Sequence, residues 1–111
     1  MKIDVAETLN VLRSNGYDVR ISHLRLVYIN GKPDCLQRRF ISENDVVSET
    51  GGFTYITISD AESGKEVARG KHNFNAKHFC KKIGVQAALG KAIKSGDLYF
   101  AVVHSVVCQK D

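Results

Sequence analysis

Apolar residues first recur at helical spacing. Val5, Leu9 and Leu12 fall on one side of a helix over residues 4–14, Asp4 caps it with Glu7 three residues on, and Asn15-Gly16 ends it. Residues 18–30 alternate and then lose phase: Val19 and Ile21 share one face, Leu24, Leu26 and Tyr28 the other, with His23 at the change. A bulged strand has this pattern. Asn30-Gly31-Lys32-Pro33-Asp34 reads as a turn, and residues 35–42 as a second strand carrying Arg38, Arg39 and Phe40. The polar, acidic stretch from Glu43 to Gly52 is expected to be a mobile loop.

The signals sharpen at Phe53-Thr54-Tyr55-Ile56-Thr57-Ile58-Ser59, nearly all β-branched or aromatic and therefore a strand. Asp60 to Gly64 supplies a turn, and residues 66–71 return as the hairpin partner. A longer helix is predicted from Ala76 to Ser95, with Asn75 as its cap and Gly96 as its stop. The valine-rich run Leu98 to Cys108 reads as a strand buried on both faces. The order α-β-β-β-β-α-β implies an α+β fold: one domain over residues 1–111, with a mainly antiparallel sheet of about five strands and both helices packed on it.

Composition adds little to this frame: 43% hydrophobic and 25% charged residues in 111 is ordinary for one globular domain. No run approaches a membrane span and the N-terminus lacks a secretory signal's apolar core, so a soluble, cytoplasmic protein is expected. Cys35, Cys80 and Cys108 are odd in number and widely spaced, which fits reduced thiols better than a disulfide framework. His72, His78 and Cys80 match no common metal-ligand spacing, so neither metal nor cofactor is expected.

Charge placement is more informative than the net charge of +4. Residues 42–66 hold six acids against one base, whereas residues 67–96 hold seven bases and no acid. Such a stretch projects a positive field suited to phosphate or to an acidic protein surface, unless the acids of 42–66 fold back to neutralise it. On the predicted long helix, Ala76, Phe79, Ile83, Ala87 and Ile93 form the face expected to lie on the sheet. A second stripe, Lys77, Lys81, Gly84, Ala88, Lys91 and Ser95, alternates ammonium groups with nearly bare backbone. Its glycines serve either a close-approaching partner or tight packing within the fold. Before the helix, Lys71, His72 and Asn73, together with Lys77 and the free amides of the first turn, describe an anion site. Phe74 is either a base-stacking platform or a staple onto His78 or Phe79. The candidate binding residues are thus Lys71, His72, Asn73, Lys77, Lys81, Lys82 and Lys91, with Arg20, Arg25, Arg38, Arg39 and Arg69 as secondary basic positions.

The segment Phe74-Asn75-Ala76-Lys77, followed by Lys81-Lys82-Ile83-Gly84 and Ala88-Leu89-Gly90-Lys91-Ala92, resembles the closing helix of small phage and mobile-element proteins. In that family a β-hairpin precedes an F-N-x-K segment and a K-K-x-G…A-L-G-[KR]-A helix. The likeness covers about residues 52–95. It implies an anti-defence role, of the anti-CRISPR kind among others. The same hairpin and helix are similar, more faintly, to the end of double-stranded RNA-binding domains, from which this chain departs by two further strands and a terminal one.

Catalytic patterns are missing: there is no G-x-S-x-G, H-E-x-x-H or P-loop, and His104 falls inside the valine-rich run. Two binding roles are therefore expected. One is a non-enzymatic inhibitor docking on a host protein or nucleoprotein complex through the basic helix face. The other is direct binding of nucleic acid or nucleotide. No membrane partner is expected, and pairing of Leu98–Cys108 across a two-fold axis would give a homodimer.

Overall fold

A computed structural model of the chain describes residues 4–96. Helix α1, Val5–Ser14, begins at Asp4, whose carboxylate accepts from the Glu7 amide at 3.0 Å. Leu12 and Thr8 are buried, with Val5 and Leu9 half-buried beside them. The capping and spacing read from the sequence both hold.

Strand β1, Tyr17–Ile29, is 13 residues long and organises the sheet. Its first part, Tyr17–Leu24, pairs antiparallel with β4, Phe53–Asp60, and its last part, Leu24–Ile29, with β2, Lys32–Gln37. Where β4 ends, the two-residue strand β3, Val46–Val47, continues along β1 opposite Tyr28 and Val27. Strand β5, Glu66–Asn73, pairs with β4, giving the order β2-β1-β4-β5. The result is a five-stranded antiparallel sheet with two helices, the α+β class the sequence implies. The terminal strand expected over 98–108, with His104, Cys108 and the dimer argument, lies outside the described residues.

One apolar layer joins the helices to the sheet. Helix α2, Lys81–Ser95, lays Ala88, Leu89, Ala92 and Ile93 against Ile56, Ile58 and Ala68, and Leu12 of α1 joins the same cluster. The approach is close enough that a Cβ on Gly84 would overlap the Thr54 hydroxyl, and one on Gly70 the Ala88 carbonyl oxygen. Both positions therefore serve packing within the fold.

Several sequence expectations are corrected. The register of β1 with β4 is unbroken from Tyr17 to Leu24, so no bulge marks His23. The apolar positions change face at Leu24, the residue from which β2 also pairs along the other edge of β1. A bulge occurs in β5, where Ile58 faces Ala68 but Ser59 faces Glu66, leaving Val67 as the extra residue. The second strand starts at Lys32, because Asn30 and Gly31, at φ 52° and 79°, close a two-residue hairpin unaided. Pro33 is accommodated because β2 is an edge strand. Residues 38–40, expected to continue that strand, form a single 3-10 turn.

The segment expected to be a mobile loop ends tied down. Ser48 donates to the Leu26 carbonyl at 2.9 Å, Gly51 to that of Lys77 at 3.0 Å, and Gly51 and Gly52 are buried. That attachment also shortens the long helix. Phe79 donates to the Glu49 carbonyl at 3.1 Å and His78 bridges Thr50, so residues 77–79 pair with 49–51 and the helix starts at Lys81 instead of Ala76. Asn75, the expected cap, has φ 55° and accepts nothing from the first turn. The buried side of α2 is turned as well: Gly84 and Ala88, expected on the open stripe, face the sheet, whereas Ile83 is 55% exposed.

Candidate functional site

Unbroken alternation along β1 sends His23, Arg25 and Val27 to the same side as Val19 and Ile21, the side on which the helices pack. Because α2 begins only at Lys81, this end of the sheet is covered differently. The 3-10 turn Arg38–Phe40 and Ile41 border it on one side, β3 on another, and Phe79 and Lys81 on a third. The concave space between them opens to solvent and has a volume of about 360 Å³. Arg25, Arg38, Lys81 and His23 supply its polar lining, and Phe79, Ile41 and Val47 its apolar wall. Among the described residues no carboxylate lines it.

Each polar group is held differently. The Arg25 guanidinium lies 4.6 Å from the centre of the Phe79 ring and donates through Nη2 to the Ser48 carbonyl at 3.1 Å. Its Nε is buried and has no acceptor among the described residues. His23 shares a 2.9 Å hydrogen bond between Nδ1 and the buried Thr54 hydroxyl, and meets Phe79 edge-on with centroids 5.9 Å apart. Burial, and then the Lys81 ammonium, push the imidazole below the ordinary histidine pKa. Lys81 is the first residue of α2, whose N-cap, Cys80, makes no side-chain bond to the exposed amides and whose first turn contains no acid. The partial positive charge of those amides adds to the field at the cavity's rim.

A second basic group lies beyond the aromatic pair Phe74–Phe79, whose centroids are 4.9 Å apart. His72 is half-buried opposite Thr54 and edge-on to Phe74 at 4.8 Å. Its pKa is lowered by burial, then by Lys91 and Lys77. Lys91 donates to the Lys71 carbonyl at 3.0 Å, and the Lys71 ammonium sits 4.1 Å from the centre of the Phe53 ring. Phe74 itself is buried against Phe79, as the packing alternative expects, but it does not staple a helix start, because α2 begins only at Lys81.

The predicted site residues therefore separate. Lys81 joins Arg25 and Arg38 at the cavity, while Lys71, His72, Lys77 and Lys91 form an outer ridge. The helix amides do not adjoin Lys71-His72-Asn73 as expected, since the helix starts later; Asn73 instead accepts from the Asn75 amide at 3.0 Å. Lys82 lines a different cavity, of about 400 Å³, with Val5, Val85, Gln86 and Lys81, which borders both. Arg69 is engaged by Glu66 at 2.6 Å, Arg39 lies over Phe40 at 4.7 Å, and Arg20 stands near Asp18, Asp60 and Glu66. The acids of 42–66 do not neutralise the basic group: none of Lys77, Lys81, Lys82 and Lys91 is within salt-bridge distance of a carboxylate among the described residues. His23, Phe79, Ile41 and Val47 are the site residues that the sequence reading missed. The signal for His23 was an imidazole and a guanidinium in phase with Val19 and Ile21.

Among the described residues no three His, Cys, Asp or Glu side chains are grouped to hold a metal, and Cys35 and Cys80 are free thiols. No helix among them is long and apolar enough to cross a membrane. No family model, curated protein or solved structure matches the chain.

Proposed function

We propose that this protein is a non-enzymatic binding module that holds phosphate groups of nucleic acid or nucleotide at the N-terminal end of α2, acting in the cytoplasm. One observation carries the reading: Arg25, Arg38, Lys81 and His23 line a single concave space that no carboxylate among the described residues enters. Gathering like charges costs free energy unless an anion joins them. Guanidinium groups offer planar donor pairs that match phosphate oxygens, and the helix amides strengthen the same field. The outer ridge of Lys71, Lys77 and Lys91 would extend the contact along a phosphate backbone.

A second reading has its own support. Phe40 and Val46 are 59% and 65% exposed on the segments that border the cavity, an apolar patch beside arginines of the kind that anchors protein interfaces. Together with the resemblance of residues 52–95 to phage accessory proteins, it supports an anti-defence inhibitor docking on a host protein or nucleoprotein complex.

Fluorescence anisotropy with short DNA and RNA, single- and double-stranded, at about 50 and 200 mM salt separates the two. Phosphate binding should weaken steeply over that range, in proportion to the phosphates neutralised, and a Lys81→Glu/Arg38→Glu variant should abolish it. Absence of binding at the lower salt sinks the nucleic-acid reading. A host complex captured through Phe40 and Val46, and lost on Phe40→Ser, would then carry the second.

A further inference from the structure

A basic groove and a basic pocket select different ligands, and this site is a pocket. Its floor is β1, and the 3-10 turn with Ile41, strand β3 and the Phe79–Lys81 segment border its sides. A continuous strand enters and leaves a groove, whereas a space bordered on several sides accepts a chain end. We infer that the cavity captures a terminal phosphomonoester, the phosphorylated end of a nucleic-acid strand or a nucleoside monophosphate, with Arg25, Arg38 and Lys81 on the phosphate and Phe79, Ile41 and Val47 against the attached nucleoside. This inference rests on the phosphate-binding reading above and narrows it.

Three features support it. First, Arg25, Arg38 and Lys81 bring three permanent positive charges to one space. An internal diester carries one negative charge, but a monoester carries about 1.5 to 2 at neutral pH. The dianion is the better match. Second, the buried Arg25 Nε has no acceptor among the described residues, although Nη2 of the same group is satisfied by Ser48. A phosphate oxygen that draws the guanidinium edge toward the cavity would supply one. Third, the cavity's volume of about 360 Å³ exceeds what a bare phosphate fills and falls in the range of roughly 300–1,000 Å³ usual for small-ligand sites. The wall beyond the cations is apolar, which suits a sugar and base better than a hydrated inorganic ion.

The test compares labelled single strands of one sequence bearing a 5′-phosphate, a 3′-phosphate or hydroxyls at both ends, with unlabelled nucleoside monophosphate and inorganic phosphate as competitors. One phosphorylated end should bind about tenfold or more tightly than the hydroxyl strand, the gain of a charge-assisted contact. A nucleoside monophosphate should compete better than inorganic phosphate. Arg38→Ala and Lys81→Ala, both at exposed positions, should weaken the phosphorylated strand more than the hydroxyl strand and so erase the preference for the phosphorylated end. Equal affinities for all three strands would overturn the inference and leave the nucleic-acid reading standing. Absence of binding of every strand to the unaltered protein would remove both. Competition by inorganic phosphate equal to that by the monophosphate would overturn the role of the apolar wall.

Discussion

His23 and His72 flank Thr54 on the strands either side of it, both on the helix-facing side of the sheet, and both are held toward the neutral form by burial and by lysines. For His23 the charged neighbour is Lys81, with Arg25 and Arg38 lining the same cavity; for His72 the neighbours are Lys91 and Lys77. A histidine whose folded pKa is depressed binds protons more readily when unfolded. Its contribution to stability is therefore complete above the ordinary value of 6.5 and is lost as pH falls through the lower folded value. Asp60, lowered by hydrogen bonds from the Ser63 and Glu62 amides, behaves alike only around and below the ordinary carboxylate range. Urea midpoints should fall between about pH 7.5 and pH 5, and a His23→Gln/His72→Gln variant should flatten that step while keeping the loss at lower pH. A wild-type midpoint unchanged over the upper interval would mean that neither imidazole is held neutral.

At the scale of elements, the contact between α2 and the sheet decides how the site is held. Thr54, which fixes His23 through a 2.9 Å hydrogen bond, occupies the space that Gly84 leaves open. Two effects oppose each other at that position. Alanine favours a helix by about 1 kcal/mol over glycine, but its Cβ would strike the Thr54 hydroxyl, an overpacking that costs about 1–3 kcal/mol or more. Sterics should win, so Gly84→Ala should lower stability in chemical denaturation by about 1–2 kcal/mol net and loosen His23. Gly70→Ala, against the Ala88 carbonyl in a strand, should cost at least as much. A stabilised Gly84→Ala would show that the helix stands farther from β4. The same contact explains what was legible in sequence. Hairpins closed by Asn30-Gly31 and by Asp60–Gly64, and the β-branched run of β4, are local and were readable. The phase of α2 was not, since its buried side mixes Leu89 and Ile93 with Gly84, Ala88 and Ala92, which carry little hydrophobic signal, while Ile83 points outward. The start of α2 was hidden for another reason: it depends on residues 77–79 pairing with 49–51, a contact between segments that composition alone does not connect. Arg25, Arg38 and Lys81 were recognisable as bases, but their convergence follows from that displaced helix start and from the phase of β1.

Over the whole molecule, charge is divided by end. The Asp60 end of β4 gathers Asp18, Asp60, Glu62 and Glu66 with Arg20, Lys65 and the paired Arg69 among them, and the Phe53 end gathers His23, Arg25, Lys71, Lys77 and Lys81. The loop before β4 brings Glu43, Asp45 and Glu49 toward the basic end, yet none of them lines the cavity. Eight residues of strand separate the poles by roughly 25 Å. That is about three times the screening length of ~8 Å at physiological salt, so the acidic pole does little to cancel the field at the basic one. Position, and not net charge, should then govern anion binding. Glu62→Lys and Lys77→Glu change the net charge by equal amounts in opposite directions, at exposed positions on opposite poles. At about 150 mM salt, Glu62→Lys should leave oligonucleotide affinity within about twofold of wild type. Lys77→Glu should weaken it several-fold and flatten the salt slope by about one. Equal and opposite effects of the two variants would show that the chain attracts polyanions by its overall charge of +4, and that the basic pole confers no address of its own.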